Sequence, residues 1–381
     1  MAAKIDFFRV GNGDMTLVRF ESGRTLLIDC NIRKAADDSG DETPDVASQL
    51  KDLLKADTSG RKYVDAMLLS HPDKDHCSGL ETHFHLGKTA DYPSNSGKIL
   101  IREMWSSPIV FRRASKDHTL CEDANAWCAE ARRRVGRYRD NGYCDAGERI
   151  LILGEDIGDK TDGLEAILVK VGQSWSRIDG TADNTFEALL LAPLKEDDEE
   201  VEELLSKNDS STVVRLKIGA GYTQDACRFL TGGDAGVAVW ERIWDRNKND
   251  AAESLGYDLL QAPHHCSWHS LSWHSWSQMG EAAEVSEDAR DALGQPRSGA
   301  TVVASSKPVE DDQSDPPCIR AKREYESILK PAGGKFVCVG DGGPEPLAYD
   351  VEPGGIKGRA KAVAASVAAP AYIGQKPVSH G

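Results

Sequence analysis

The sequence predicts an α/β fold in which sheets pack against helices. Short apolar runs that are typical of strands open the chain at residues 5–10, 15–20 and 25–29, with glycine and serine between them. A helical pattern follows at 44–56, and a further short apolar run at 64–70 predicts a buried strand. With 381 residues, of which 40% are hydrophobic, the chain is long enough for a layered core with insertions.

The rest of the chain continues this alternation, with three exceptions. Residues 84–160 depart from it, and we expect a helical insertion there within a domain that spans 1–352. Residues 195–207 are strongly acidic and predict a helix. Residues 353–381 are rich in glycine, alanine and proline, which predicts a low-complexity C-terminal extension.

Composition limits the classes of partner. The net charge of −16 disfavours nonspecific binding of nucleic acid over the whole surface, but it leaves room for metal ions or a local basic patch. No apolar run approaches the roughly 18 residues of a membrane span, so we expect no membrane association. The nine cysteines form no CxxC pair, which favours reduced thiols and a cytoplasmic location. The acidic surface and the insertion are candidate contacts for a protein partner.

Four potential metal ligands stand within six residues of SHPDKDHCSGL, residues 70–80. They are His71, Asp73, Asp75 and His76, and they come directly after the predicted strand 64–70. Imidazole nitrogens and carboxylate oxygens that converge on one turn bind a divalent cation more readily than they are buried alone. This turn therefore predicts a metal site.

Two later stretches carry the same kinds of side chain. Asp234 follows a predicted strand on the glycine-rich turn LTGGD, and His264 and His265 follow another in APHHCS. Glycine in the first turn lets the backbone approach the site closely. Because ligands gather at the carboxyl ends of strands in open α/β sheets, we expect the three stretches to meet.

Six motifs occur in one order between residues 5 and 345. They are VGNGD (10–14), LLIDC (26–30), HPDKDH (71–76), NDSSTVV (208–214), LTGGD (230–234) and PHHCS (263–267). In these motifs the chain resembles the metallo-β-lactamase fold hydrolases, and most of all the hydrolase domain of the DNA-uptake protein ComEC and its stand-alone relatives. The resemblance implies a four-layer αββα sandwich and a metal-dependent hydrolase.

The resemblance also implies a ligand set. His71 and Asp73 would bind one metal ion, Asp75 and His76 a second, and Asp234 would bridge the two. The full set of expected ligands is His71, Asp73, Asp75, His76, Asp234, His264 and His265.

The two neighbouring histidines leave an alternative open. Either His264 or His265 would complete the second site, and we favour His264 because it comes first after the strand. His265 would then support the ligands or contact the substrate. Asp29, at the end of the third predicted strand, is either an outer partner that orients a ligand or the cap of a turn.

The chain departs from the broad family in its first site. Asp73 stands where that family has histidine, and residues 190–215 contain no histidine to act as the middle ligand. More oxygen and less nitrogen shifts the preference from Zn²⁺ toward Mn²⁺ or Mg²⁺. We expect two divalent ions, Zn²⁺ or Mn²⁺, and the alternative of a single ion stays open.

The expected chemistry is hydrolysis by a metal-activated water, with Asp73, Asp75 and His265 as catalytic residues and Asp75 as proton acceptor. The HPDKDH variant resembles enzymes that cleave phosphodiesters. Tryptophans in SWHSLSWHSW (267–276) would either stack on a base or pack in the core, and arginines in 132–139 would either contact phosphates or form a solvated helix face.

These features favour a phosphodiesterase or nuclease that acts on a nucleotide or nucleic acid. Two alternatives remain. The same ions would serve a hydrolase of small carboxylic esters or lactams, and the absent histidine is compatible with a non-catalytic binding protein whose metal site is degenerate.

Overall fold

The computed structural model describes residues 2–37, 42–117, 119–154, 159–195, 205 and 207–359. In chain order the strands are β1 (Ala3–Phe7), β2 (Thr16–Arg19), β3 (Thr25–Ile28), β4 (Tyr63–Leu68), β5 (Phe84–His85), β6 (Ile99–Ser106), β7 (Arg149–Leu153), β8 (Leu168–Val169), β9 (Ser174–Trp175), β10 (Arg177–Ile178), β11 (Thr181–Ala182), β12 (Phe186–Ala192), β13 (Val213–Ala220), β14 (Thr223–Thr231), β15 (Tyr257–Gln261), β16 (Pro296–Ala304), β17 (Lys335–Cys338), β18 (Leu347–Glu352) and β19 (Gly355–Gly358).

Helices connect many of these strands. The α-helices are Val46–Leu53, Lys74–Cys77, Leu80–His83, Pro108–Asp117, Glu122–Asn141, Val237–Asn247, Ala251–Ser254, Trp276–Met279, Glu287–Leu293 and Ile319–Leu329. Short 3-10 turns lie at Lys34–Asp37, Thr89–Asp91, Glu165–Ile167, Asn208–Ser210, Lys248–Asp250, Pro263–His265, Trp268–Ser270, Gly280–Ala282, Lys330–Ala332 and Val339–Asp341. No helix in the described ranges is both long and apolar enough to cross a membrane.

Two large mixed sheets form the centre of the molecule. The first has the order β19-β18-β1-β2-β3-β4-β6-β7-β8, with β5 paired to β6, and the second has the order β17-β16-β15-β14-β13-β12-β9. In the first sheet β1, β2 and β3 are antiparallel, whereas β3, β4, β6, β7 and β8 run parallel. In the second, β12, β13 and β14 are antiparallel and β14 to β17 run parallel.

The sheets stack face to face and are covered by helices on their outer faces. Apolar side chains from both sheets, such as Phe7 and Phe229, form the central core cluster. The outer face of the first sheet packs against helices Val46–Leu53 and Glu122–Asn141. The outer face of the second sheet packs against helices Val237–Asn247, Glu287–Leu293 and Ile319–Leu329. The protein is thus a layered α/β sandwich, as the sequence predicts.

Strand register brings the ligand-bearing turns to one edge. Ile28 pairs with Leu68 in parallel, so that β3 and β4 end together in the first sheet. Leu230 pairs with Leu260 in the second sheet, so that β14 and β15 also end together. The segments that follow these four strands meet across the top of the two sheets.

Two predicted segments differ in detail from the structure. Residues 84–160 contain the long helix Glu122–Asn141, but they also supply β6 and β7, which pair in parallel within the first sheet. Part of the expected C-terminal extension forms β19, which pairs with β18. Residues 360–381 lie outside the described residues, as does most of the acidic helix expected at 195–207.

Candidate metal centre

The turn after β4 supplies the first group of donors. His71 and His76 are fully buried, and the short helix Lys74–Cys77 turns the chain so that Asp73 and Asp75 face the same edge. The backbone N–H of Cys30 donates to the carbonyl of His76 over 2.8 Å, which ties this helix to the end of β3. A dense cluster of donors is therefore held on a backbone that both strands position.

Four residues form the larger group of donors, which we call the four-donor cluster: Asp75, His76, Asp234 and His265. One donor atom from each lies within 4.8 Å of the others. His76 Nε2 is 2.9 Å from Asp234 Oδ1, and His265 Nε2 is 3.4 Å from the same oxygen and 3.3 Å from Asp75 Oδ2. The helix after β4, the turn after β14 and the turn after β15 thus converge on one point.

A second group shares Asp234, and we call it the three-donor cluster: His71, Asp73 and Asp234. Its donor atoms also lie within 4.8 Å of one another. His71 Nε2 is 3.3 Å from Asp73 Oδ2, and the Asp73 side chain is 29% exposed. Asp234 therefore belongs to both groups, in the position that the resemblance implies for a bridging ligand.

Carboxylates stand behind both imidazoles of the four-donor cluster. His76 Nδ1 is 2.9 Å from Asp29 Oδ2, and His265 Nδ1 is 3.4 Å from Asp14 Oδ1. Asp29 also accepts a hydrogen bond of 2.6 Å from the backbone N–H of Ser70. The hydrogen bond at Nδ1 fixes the ring orientation of His76 and leaves its Nε2 to coordinate a metal ion, whereas Asp14 is an electrostatic neighbour of His265. Of the two roles considered for Asp29, its contact with His76 fits that of an outer partner.

A different segment supports the three-donor cluster. Residues 207–211 lie across it just before β13. Ser211 Oγ is 3.3 Å from His71 Nδ1 and accepts a 3.1 Å hydrogen bond from the backbone N–H of Asp234. At the other end of the segment, the ammonium of Lys207 donates to the carboxylate of Asp73. This cluster is held by a hydroxyl and an ammonium rather than by carboxylates.

Left-handed backbone positions the donors from the second sheet. His264, His265 and Cys266 have φ of 48°, 53° and 70°, which L-residues adopt at a cost of about 1–2 kcal/mol each. Gly233, beside Asp234, has φ of 47°, and a Cβ there would come within 2.6 Å of Ser70 Oγ. The turn before Asp234 therefore requires glycine, and the strained turn after β15 is a feature that clusters at functional sites.

The donors suit a divalent cation. Among the described residues, His71 Nε2, both ring nitrogens of His265 and Asp14 Oδ1 are buried and make no hydrogen bond. Buried polar atoms without a partner are rare, because each costs about 1–3 kcal/mol. Nitrogen and oxygen donors in this mixture are those that Zn²⁺ and Mn²⁺ accept. These residues would therefore fit one or two divalent ions.

The electrostatics point the same way. Burial alone would raise the pKa of Asp234, but the neighbouring His76 and His264 hold that pKa well below its usual range. Burial alone would lower the pKa of His265, yet the carboxylates of Asp234 and Asp14 raise it to about 10. The carboxylates thus dominate the potential of the site, which favours a bound cation.

The two adjacent histidines separate in the structure. His265 is buried, with 1% of its side chain exposed, and belongs to the four-donor cluster. His264 is 17% exposed, and its Nε2 lies 3.7 Å from the outer oxygen of Asp234, Oδ2. Of the two adjacent histidines, His265 is therefore the one that lies within the four-donor cluster, and which of the two binds an ion stays a prediction. Both residues have positive φ, and this backbone conformation directs the ring of His265 toward the other donors. The order of the two histidines in the sequence does not indicate this.

Two cavities open onto the donors. The larger has a volume of about 820 Å³ and is lined by Arg33, Lys34, Lys74, Asp75 and Cys121 among others. The smaller, of about 300 Å³, is lined by Pro72, Asp73, Lys74, Asp75, Thr119, Leu120, Cys121 and Lys207. Both reach Asp75, so its carboxylate faces the space that a substrate would enter.

Most of the aromatic residues proposed for substrate stacking serve the core. Trp268 is fully buried behind the second sheet, and Trp276 packs against the same cluster. Trp273 is 64% exposed, and its Nε1 donates to Glu241 over 2.8 Å. Core packing, the second role considered for this segment, is the role of Trp268 and Trp276.

The arginine-rich helix is likewise occupied by internal contacts. Arg134 is buried and donates to Glu130 and to the backbone carbonyl of Ile101. Arg133 pairs with Glu130, and Arg137 pairs with Asp145. These arginines hold the helix to its neighbours instead of facing the donor clusters.

Three residues of the centre have no role in the sequence interpretation: Asp14, Lys207 and Ser211. Asp14 ends VGNGD, and Ser211 lies in NDSSTVV, so the motifs contain both residues without indicating what they touch. Lys207 directly precedes the second of these motifs. Only the fold brings these three side chains to the donors.

Comparison with known proteins does not identify a family for this chain. No protein-family model and no curated protein sequence matches this chain. Solved structures do match, and one of them is the crystal structure of unliganded yeast PDE1, with a TM-score of 0.38 and 11% identity over 89% of this chain and 98% of that chain. The resemblance to the ComEC branch stays a prediction, and we infer the function from the side chains of the site.

Proposed function

We propose that this protein is a metal-dependent hydrolase that cleaves phosphodiesters. One observation carries the proposal: buried imidazole and carboxylate donors from both sheets converge on Asp234, and nitrogens of His71 and His265 among them have no hydrogen-bond partner in the described structure. A divalent ion held by the four-donor cluster would lower the pKa of a water molecule and stabilise negative charge on a substrate oxygen. The remaining roles belong to side chains of the chain itself.

Asp75 is the proposed proton acceptor. Its side chain is 39% exposed and faces both cavities, whereas the other members of the four-donor cluster are buried. Burial alone would raise the pKa of Asp75, but contact with His265 and the charge of His76 lower it. The carboxylate is therefore ionised at neutral pH and can take a proton from an attacking water.

The large cavity supports a phosphodiester substrate. The chain carries a net charge of −16, yet Arg33, Lys34 and Lys74 balance the three carboxylates that line the cavity, those of Asp75, Glu122 and Asp123. Cations next to a cluster of carboxylates can bind the phosphate charge that the carboxylates would otherwise repel. An uncharged ester gains nothing from these groups, and for that reason we prefer phosphodiesters.

Asp75→Ala tests the proposal most directly. After chelation and addition of Mn²⁺ or Zn²⁺, the wild-type chain should hydrolyse bis(4-nitrophenyl) phosphate faster than it hydrolyses 4-nitrophenyl acetate. Asp75→Ala should lower kcat for the phosphodiester by about 100-fold or more, the contribution of a positioned proton acceptor. Asp52→Ala, which changes an exposed carboxylate on helix Val46–Leu53, is the control and should keep the wild-type rate.

Two results would overturn this function. One is a wild-type chain that fails to cleave the phosphodiester with either ion. The other is an Asp75→Ala variant that cleaves it at the full rate.

A further inference from the structure

The ammonium of Lys207 lies directly against the three-donor cluster. It donates to Asp73 Oδ2, the same oxygen that is 3.3 Å from His71 Nε2. The Lys207 side chain is 26% exposed, so it reaches the donors while it remains open to the cavity. Its position is fixed by the turn Asn208–Ser210, in which the N–H of Ser210 donates to the Lys207 carbonyl over 3.0 Å.

An ammonium at this point competes with a metal ion. Lysine carries three hydrogen-bond donors and no acceptor, so it cannot coordinate a cation while it is charged. Its charge repels a cation in the three-donor cluster, and its contact occupies an oxygen of Asp73.

Within the described ranges, no ammonium or guanidinium group pairs with a carboxylate of the four-donor cluster. This cluster offers one donor atom from each of four residues. With Asp75 as the proton acceptor, His76, Asp234 and His265 would be the three protein ligands of a catalytic site, in which the fourth position of the ion takes water. Two of its members are imidazoles with carboxylates at Nδ1. The three-donor cluster has fewer donors and a fixed cation beside them, so the two clusters are unequal in their capacity for an ion.

Lys207 also faces the smaller cavity. This cavity of about 300 Å³ is lined by Lys207, Lys74, Asp73 and Asp75 among others, so that two ammonium groups border the space next to the proposed proton acceptor. Two ammonium groups within one cavity favour an anionic group of the substrate. In a phosphodiester that group is the phosphate itself.

We propose that this chain binds one divalent ion tightly, in the four-donor cluster, and that Lys207 takes the place of a second ion beside Asp73 and binds the phosphate of the substrate. The statement about ion number rests on the contacts of Lys207 and on the donors of the two clusters, and it does not depend on the proposed function. The statement about phosphate rests on the proposed function.

Ion counting tests the first statement without any measurement of activity. The chelator-stripped full-length chain is dialysed against increasing Mn²⁺, and elemental analysis gives the ions bound per chain. The wild type should bind one ion tightly and a second only weakly. Lys207→Met frees Asp73 and should lower the Kd of the second ion about fivefold. This factor corresponds to the free energy of a partly exposed ion pair, which the ion no longer has to break. Lys207→His adds a nitrogen donor and should tighten it further.

Lys217→Met is the matched control. Lys217, on strand β13, is 21% exposed and pairs with Glu253 of helix Ala251–Ser254, outside both clusters. This variant should keep the wild-type ion count and affinities. Two ions of equal affinity in the wild type would overturn the first statement, as would a second-ion affinity that is the same in the wild type, Lys207→Met and Lys207→His.

Kinetics test the second statement. Lys207→Met should raise KM for bis(4-nitrophenyl) phosphate by roughly tenfold or more, because a hydrogen bond to a charged group contributes that much binding free energy. KM for uncharged 4-nitrophenyl acetate should stay unchanged. Lys207→Arg should restore most of the loss because it keeps the charge. An equal rise in KM for both substrates would overturn the phosphate contact.

The two proposals fail in different ways. A wild-type chain that cleaves no phosphodiester refutes the proposed function, and with it the phosphate contact, whereas the ion count still decides whether Lys207 displaces a second ion.

Discussion

The two donor clusters share Asp234, but they differ in what supports their other donors. In the four-donor cluster, Asp29 and Asp14 stand behind the rings of His76 and His265, and both rings are buried. In the three-donor cluster, a hydroxyl supports His71 and an ammonium contacts a half-exposed carboxylate. Outer carboxylates increase the basicity of an imidazole ligand, whereas a nearby ammonium opposes a second cation. The difference indicates that equal-looking donors along a sequence can differ in function because of the groups behind them.

Asp234→Asn should have the largest effect, because it changes both clusters at once. Asp234 lies 2.9 Å from His76 and 3.4 Å from His265, and it also belongs to the three-donor cluster. We expect ion binding to be lost and hydrolysis to fall by more than the roughly 10- to 100-fold that loss of an outer partner costs. Dialysis with elemental analysis measures the ion count, and phosphodiester hydrolysis measures the rate.

Asp65→Asn is the control for the loss of a buried carboxylate. Asp65 is buried on β4 and accepts a 2.9 Å hydrogen bond from the N–H of Thr25, away from both clusters. It should keep the ion count. An Asp234→Asn chain that still binds an ion as tightly as the wild type would show that Asp234 does not contribute to ion affinity.

A pair of variants separates the two clusters. Asp29→Asn removes the partner of His76 and should weaken the tight ion by roughly 10- to 100-fold. Ser211→Ala removes the partner of His71 and one backbone contact of Asp234, so it should weaken the tight ion less than Asp29→Asn does. It should also lower the free energy of unfolding by about 0.5–1.5 kcal/mol through the lost hydrogen bonds. Calorimetric titration with Zn²⁺ and urea unfolding measure the two quantities. Equal loss of ion affinity in both variants would contradict the proposed difference between the clusters.

The smallest expected effect is on the reactivity of Cys121, a residue that lines both cavities beside the four-donor cluster. Its Sγ lies 3.5 Å from that of Cys77, whose hydrogen bond lowers the pKa of Cys121 to about 6. Below this pH Cys121 is a thiol, and above it a reactive thiolate, so alkylation by iodoacetamide should rise with a midpoint near pH 6 rather than near 8.5.

Peptide mass spectrometry at a series of pH values follows this reaction at Cys121. Cys77→Ala removes the hydrogen-bond donor and should shift the midpoint upward. The same midpoint in both chains would show that Cys77 does not set the reactivity of this cavity wall.

Much of the centre could be predicted from the sequence because its donors follow strands directly. One turn contains four of the donors, His71, Asp73, Asp75 and His76. Because the strands before the donor-bearing turns pair in parallel within their sheets, the contact of this turn with Asp234 could be expected. The layered fold followed from the same alternation of strands and helices. Sequence pattern was sufficient for these features because each of them is determined by residues that are close together in the chain.

The rest depended on features that no local pattern contains. Which of His264 and His265 points inward is set by backbone torsions of 48° and 53°, not by their order. Asp14 reaches His265 across about two-thirds of the chain, and Lys207 reaches Asp73 over a separation of 134 residues. The strands β6 and β7 were obscured by the charged helix between them, although they pair within the first sheet.

The origin of the donors in two different sheets has a consequence for how the protein matures. His76 comes from the first sheet, and Asp234 and His265 follow strands of the second. Each sheet supplies only two of the four donors of the four-donor cluster, so an ion held there would be bound with full affinity only after the sheets have docked. Ion loading would then be a late step in the maturation of the protein, and a bound ion would link its two sheets.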